Sequence, residues 1–71
     1  MDIEKLVRMA NQIARQMSAD PSLDAVKATA AHLDRFWEHE MRVDLARAVE
    51  GGTVTVDDVV VQAVRSLSVP I

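Results

Sequence analysis

Two histidines, His32 and His39, lie seven residues apart, with Glu38 and Glu40 on either side of the second. Imidazoles and carboxylates are ligands of zinc and of other transition metals. A helical zinc motif places its histidines at i and i+4, so that both face one ion, and the spacing here does not match. The side chains of three successive residues also diverge around a helix. We therefore expect solvated or capping roles for these side chains, and no metal site.

The other residues that could do chemistry lack suitable neighbours. Asp57 and Asp58 suit the first turn of a helix, where the positive end of the helix dipole stabilises carboxylates. The same two acids would repel an anion from the preceding Gly51-Gly52 pair, which argues against a phosphate site. The chain contains no cysteine, so it forms neither a disulfide nor a thiolate metal site, which fits a reducing compartment. We expect no catalytic residue, no bound cofactor and no enzyme activity in this chain by itself.

The composition favours one small domain that binds another protein. A chain of 71 residues is a single domain, 1–71, and a hydrophobic content of 49% favours folding over disorder. The net charge is −3 and no segment is a basic patch, which argues against binding to nucleic acid. The longest apolar run, residues 59–61, is too short to span a membrane. The N-terminal stretch MDIEKLVRM has no apolar run after a basic segment, so we expect no secretory signal.

Helical periodicity predicts an all-α fold with a long central helix flanked by two shorter ones. Apolar residues at i, i+3, i+4 and i+7 run through the first segment, and Asp2 can cap its start. The third segment has valines that also suit a strand, but it matches the helical template and Thr55 can cap it. The predicted helices cover residues 2–18, 21–50 and 55–67, and a frayed tail follows at 68–71.

The ends of the central helix are predicted from its prolines and glycines. Pro21 suits the first turn of a helix, and Asp20 before it can act as the N-cap. Gly51 is the expected left-handed residue at the C-terminus. A helix of this length would extend about 43 Å, at 1.5 Å per residue.

The only two aromatic rings of the Phe, Tyr and Trp type are adjacent, Phe36 and Trp37. Neighbouring helical residues point about 100° apart, so Trp37 lies on the apolar stripe and Phe36 on its flank. Either both rings fill one wide face of the core, or one faces inward while the other anchors a partner protein. The two interpretations explain the pattern equally well. We expect Trp37→Ala to weaken partner binding by about 2 kcal/mol or more, whereas unfolding of that variant would assign Trp37 to the core.

Two stretches, LVRMANQIA at 6–14 and HLDRFWEHEMR at 32–42, resemble the delta subunit of soluble NAD-dependent, molybdenum-containing formate dehydrogenases. That family shows a Met-Ala-Asn-Gln-Ile-like stretch in its first helix and a Phe-Trp-rich motif after a His-Leu pair. The family commonly has a proline after the Phe-Trp-acid unit, where this chain has His39. A proline would kink a helix at that point. The central helix of this chain either runs straight or bends near Glu38, where its relatives bend.

The resemblance implies a small, non-catalytic accessory subunit of a cytoplasmic complex that oxidises formate. The complex it resembles passes electrons from a molybdenum pterin through iron–sulfur clusters and FMN to NAD. The expected partner is the large molybdenum-bearing catalytic subunit, whose assembly or activity this chain would support. The alternative is a free-standing helical module that binds a second copy of itself through the same apolar strip. The residues expected to contact the partner are Phe36, Trp37, Arg35, Met41 and Arg42, together with Asn11 and Gln12 on the first helix.

Overall fold

The computed structural model describes residues 2–52 and 54–67 of the chain. Within these ranges the backbone forms four helices and no strand. The all-α prediction is confirmed, but the predicted count of three helices is wrong, because the central helix is divided in two. The predicted frayed tail, 68–71, lies outside the described residues. The helices are α1 (Ile3–Ser18), α2 (Ala25–Phe36), α3 (His39–Gly51) and α4 (Asp58–Ser66).

Helix α1 agrees with its prediction from periodicity. Its N-cap is Asp2, whose Oδ1 accepts hydrogen bonds from the backbone N–H groups of Glu4 at 3.0 Å and Lys5 at 3.4 Å. These bonds satisfy two of the donors that lack a partner within the first turn. The helix ends at Ser18 because the chain then turns toward Pro21, as the sequence predicts.

Helix α2 begins at Ala25, four residues later than predicted, because Asp20 is engaged elsewhere. The Asp20 Oδ1 accepts hydrogen bonds from the Ser22 hydroxyl at 2.6 Å and from the Ser22 backbone N–H at 2.9 Å. These two bonds hold the pKa of Asp20 below its ordinary value of 3.8, and the bond from the hydroxyl has the larger effect. Asp24 caps the helix instead, and its Oδ1 accepts a hydrogen bond from the Lys27 N–H at 3.2 Å. Local side-chain hydrogen bonds of this kind compete with helix initiation.

A two-residue break separates α2 from α3, so the predicted single central helix, 21–50, is wrong. Of the two possibilities left open by the sequence, a straight helix or a bend near Glu38, the structure shows an interruption at Glu38. Trp37 has φ −92° and ψ 141°, and Glu38 has φ −68° and ψ 155°. Both residues are extended, which stops the helical hydrogen-bond ladder after Phe36. Helix α3 restarts at His39, and the Arg42 N–H donates to the Glu38 carbonyl oxygen at 3.1 Å.

Two further caps differ by one or two positions from the predicted ones. Gly51 is the last residue of α3, and Gly52 is the left-handed residue, with φ 67° and ψ 15°. Either glycine can adopt that conformation, so the sequence does not distinguish them. The N-cap of α4 is Asp57 rather than Thr55, and its Oδ1 accepts a hydrogen bond from the Val59 N–H at 2.9 Å.

The core lies where the four helices meet. Helix α2 packs on α4 and α1, and α3 packs on both of the same helices. Alanines at several helix contacts let the backbones approach closely, so a short chain can enclose a few large side chains. The buried core cluster consists of Leu6, Val7, Ala10, Ala14, Leu33, Trp37, Leu45, Ala46, Ala48, Val60 and Val64.

Candidate partner-binding site

Trp37 lies in the core and is 6% exposed. It is the C-cap residue of α2, and its backbone N–H still donates to the Leu33 carbonyl oxygen at 3.1 Å. Its extended backbone directs the indole inward, where it belongs to the same buried cluster as Leu33 and Leu45. The structure therefore separates the two adjacent rings, and Trp37 is the inward one.

Phe36 lies on the outside of the molecule and is 66% exposed. The His32 ring lies beside it, with ring centroids 4.8 Å apart and ring planes inclined at 44°. The Arg35 guanidinium carbon lies 5.6 Å from the centre of the Phe36 ring, within the range of a cation–π interaction. We call these three residues, His32, Arg35 and Phe36, the aromatic surface.

His32 is the member of the aromatic surface that was not among the expected partner contacts. The structure places His32 on α2 and His39 on α3, so the two histidines belong to different helices. The signal that could have found the position of His32 is the i, i+4 spacing to Phe36, which puts two side chains on one face of a helix.

Arg42 reaches from α3 across the break to the end of α2. Its Nη1 donates hydrogen bonds to three carbonyl oxygens: that of Leu33 at 3.3 Å, that of Asp34 at 3.0 Å, and that of Trp37. The last carbonyls of a helix lack intrahelical donors and carry the negative end of its dipole. A guanidinium at this point donates hydrogen bonds to these carbonyl oxygens and places a positive charge at the negative end of the dipole. The structure therefore gives Arg42, an expected partner contact, a role within the chain.

Asn11 also forms a contact within the chain. Its side-chain oxygen accepts a hydrogen bond from the Asp57 backbone N–H at 2.9 Å, which joins α1 to the start of α4. Met41 is half-buried and packs against the core cluster, whereas Gln12 is exposed on α1. Of the seven expected contacts, the structure brings only Phe36 and Arg35 together at an exposed surface.

The described part of the chain shows no arrangement suited to metal chemistry. No group of three or more His, Cys, Asp or Glu side chains within residues 2–52 and 54–67 could hold a metal ion. None of the helices in the same ranges has the length and apolar character that crossing a bilayer requires. Two shallow grooves of about 380 and 360 Å³ lie on the surface. The first is lined by Glu4, Val7, Arg8, Asn11, Val54 and Thr55, and the second by His39, Glu40, Val43, Asp44 and Arg47.

The comparison with protein families decides what kind of chain presents this surface. The family model described as NADH-dependent formate dehydrogenase delta subunit FdsD matches residues 5–64 of the 71 residues. The chain belongs to this family. The matched range of the delta subunit includes the aromatic surface, the break between α2 and α3, and Arg42. No curated protein and no solved structure matches the chain.

In this formate dehydrogenase delta subunit, His39 is the residue at which the resemblance described in the sequence analysis leads us to expect a proline in relatives. His39 is the first residue of α3, and proline is favoured at the first position of a helix. Glu38 before it has a ψ of 155°, within the range that a residue before proline adopts. The backbone at this point is therefore the same kind that a proline would require, although the chain has a histidine.

Proposed function

We propose that this chain is a non-catalytic accessory subunit that binds the large molybdenum-bearing subunit of a cytoplasmic NAD-dependent formate dehydrogenase. The binding would support the assembly or the activity of the large subunit. Membership of the delta-subunit family supplies the complex. The observation that carries the binding role is the exposure of Phe36, 66%, in a chain that buries its other large aromatic side chain.

The chemistry of the aromatic surface suits an anchored protein contact. Moving an exposed phenylalanine side chain into an apolar pocket contributes about 1.5–3 kcal/mol. The Arg35 guanidinium lies over the same ring and offers donors to carboxylate or carbonyl oxygens of a partner. Aromatic residues and arginine are enriched at protein interfaces and among their energetic hot spots. We therefore place Phe36 at the centre of the contact and Arg35 at its rim.

The cofactors of such a complex are assigned to its other subunits. Iron–sulfur clusters are held by cysteine thiolates, and this chain contains no cysteine. The two grooves described above are shallow and open, unlike the enclosed sites that hold pterin, flavin or nicotinamide groups. The lining of these two grooves offers no cysteine ligand for such groups, which supports the proposal that this chain contributes through protein contacts.

The test compares the recovery of the large subunit by three forms of the chain. The chain is tagged, isolated gently from its native cells, and its associated proteins are identified by mass spectrometry and quantified. Phe36→Ala should weaken the association by about tenfold or more, which corresponds to about 1.4 kcal/mol or more. Leu23→Ala is the matched control, because Leu23 is 43% exposed and lies outside the aromatic surface. Full recovery with Phe36→Ala would contradict the proposed contact.

The alternative occupant of the aromatic surface is a second copy of the chain. Sedimentation of the isolated chain separates the two cases, because a homodimer built on Phe36 would dissociate in the Phe36→Ala variant. We expect the isolated wild-type chain to sediment as a monomer. A stable dimer, together with no recovery of the large subunit, would favour the self-associating module.

A further inference from the structure

We infer that Arg42 is a positioning residue: it holds the last turn of α2 so that Phe36 faces the partner, and it does not itself touch the partner. The inference rests on the proposed function, and it concerns how the aromatic surface is presented. It assigns to Arg42 a role that neither its sequence position nor the family description contains.

The break between α2 and α3 determines where Phe36 points. Only Trp37 and Glu38 separate the two helices. Phe36 is the last helical residue before the break, so its direction depends on the final turn of α2 keeping its helical form. Final turns of helices fray readily, because their carbonyl groups have no donors within the helix. The core holds the indole of Trp37 but makes no such contact with the exposed ring of Phe36.

Arg42 adds charged donors to this final turn, in which the Leu33 carbonyl oxygen also accepts from the Trp37 N–H. Its Nη1 binds the carbonyl oxygens of Leu33 and Asp34, which belong to the same turn as Arg35 and Phe36. The same nitrogen also binds the carbonyl oxygen of Trp37, beyond the end of the helix. Hydrogen bonds with a charged donor are stronger than neutral ones. One side chain from α3 therefore holds both the last turn of α2 and the first residue of the break.

The contacts of Arg42 leave little of it available to a partner. Arg42 is half-buried, and its bonded acceptors are carbonyl oxygens of the chain itself. In the described part of the chain the ion pair found joins Arg65 to Glu50, so no carboxylate competes for the Arg42 guanidinium. The buried apolar cluster that contains Leu33, Trp37 and Leu45 is built from hydrophobic side chains. Loss of the Arg42 side chain should therefore loosen the turn that carries Phe36 while the core persists.

A double-mutant cycle separates positioning from direct contact. The dissociation constant for formate dehydrogenase lacking its delta subunit is measured with the full-length chain and its variants. We expect Arg42→Met to weaken binding about tenfold in the wild-type background, and by less than about twofold in the Phe36→Ala background. Arg47→Met is the matched control, because Arg47 lies exposed on the same helix, and it should bind as the wild type does.

The cycle distinguishes failure of this inference from failure of the proposed function. A tenfold loss in both backgrounds would show that Arg42 contacts the partner directly, and would overturn the positioning role alone. Wild-type affinity of Phe36→Ala would overturn the proposed contact, and the inference with it. Absence of binding by the wild-type chain would overturn the proposed function.

The orientation of Phe36 can also be observed without the partner, because the chain has one phenylalanine and one tryptophan. Fluorine NMR of a chain labelled with 4-fluorophenylalanine reports Phe36 alone, and intrinsic fluorescence reports Trp37. We expect Arg42→Met to move the fluorine resonance toward its unfolded position while the emission of Trp37 stays that of a buried indole. An unchanged resonance, or a simultaneous change in both signals, would contradict the inference.

Replacement of His39 by proline should rescue the binding of Arg42→Met without adding a hydrogen bond. Glu38 already has the extended conformation that precedes proline, and position 39 is the first residue of α3. His39→Pro should restrict the backbone of Glu38 and of position 39 to the conformation found in the break. It should thereby restore the affinity of Arg42→Met for the partner to within about threefold of wild type. It should restore nothing when Phe36 is also alanine. Failure to rescue the folded Arg42→Met chain would refute the claim that Arg42 acts by ordering the break.

Discussion

Replacement of Trp37 by alanine tests the central feature of the fold, the separation of two adjacent rings. Trp37 is 6% exposed and packs in the cluster that contains Leu33 and Leu45. Removing a buried tryptophan side chain costs about 3–5 kcal/mol, from lost burial and from the cavity that remains. A domain of 71 residues has a free energy of unfolding of roughly 4–11 kcal/mol, at about 0.05–0.15 kcal/mol per residue. Trp37→Ala should therefore remove about a quarter of the stability or more.

The neighbouring substitution should behave in the opposite way. Phe36 is 66% exposed, so Phe36→Ala loses little buried area and should cost less than about 1 kcal/mol. Its contacts with His32 and Arg35 lie at the surface, where such pairs contribute little. Urea unfolding followed by the far-ultraviolet circular dichroism of the helices measures both variants, because this signal does not depend on the tryptophan.

The stability losses of Trp37→Ala and Phe36→Ala together test whether Trp37 is buried and Phe36 is exposed. If Trp37→Ala costs less than about 1 kcal/mol, or less than Phe36→Ala, then the indole is not part of the core. Leu23→Ala, at an exposed leucine outside the aromatic surface, sets the cost of removing a surface apolar group from this chain. The outcome also bears on partner binding, because a loss of binding by Trp37→Ala would then report unfolding, whereas a loss by Phe36→Ala would report the contact.

Three further predictions concern single polar groups and one glycine. Thr29 is fully buried and its hydroxyl has no hydrogen-bond partner in the described part of the chain, so Thr29→Val should raise the free energy of unfolding by about 1 kcal/mol. A loss of stability in urea unfolding would show that this hydroxyl is satisfied. Gly52 has a φ of 67° and no atom within 4 Å of an added Cβ, so Gly52→Ala should cost about 1–2 kcal/mol from the backbone alone, and Gly52→Asn less. Equal thermal stability of the alanine and wild-type chains would contradict the left-handed cap. The Ser22 hydroxyl and N–H lower the pKa of Asp20. The Asp20 carboxylate therefore makes its full contribution to stability above the ordinary pKa of 3.8, and this contribution is lost as the pH falls through the lower pKa of the folded state. Titration followed by NMR should give a pKa for Asp20 that rises in Ser22→Ala, and an unchanged value would remove the hydroxyl as its main cause.

Periodicity alone predicts those helices whose pattern is local and uninterrupted. In α1 an uninterrupted series of apolar residues follows the helical repeat, and Asp2 is the one capping residue at its start, so bounds and cap agree with the structure. The segment of α4 is helical as predicted, because its apolar positions match the helical repeat despite the β-branched valines. Where the sequence offers two capping residues a few positions apart, as with Asp20 and Asp24, periodicity does not choose between them.

The aromatic surface could not be predicted from the sequence alone. Phe36 and Trp37 were both candidates for the contact, and an unbroken helix would have set them about 100° apart on one wide face. The structure instead ends α2 between them, so that one ring enters the core and the other remains outside. The role of Arg42 was missed for the same reason, since its acceptors lie at the end of a different helix.

The sequence by itself determined the helical class, the first helix with its cap, and a family pattern that the family model confirms. These depend on interactions between residues three or four positions apart, which a linear pattern records. Only the tertiary structure decided the break at Trp37 and Glu38. Local propensity in this stretch is satisfied by a continuous helix, and the break is held by the burial of an indole and by a guanidinium from the next helix. Such contacts exist only once the helices pack.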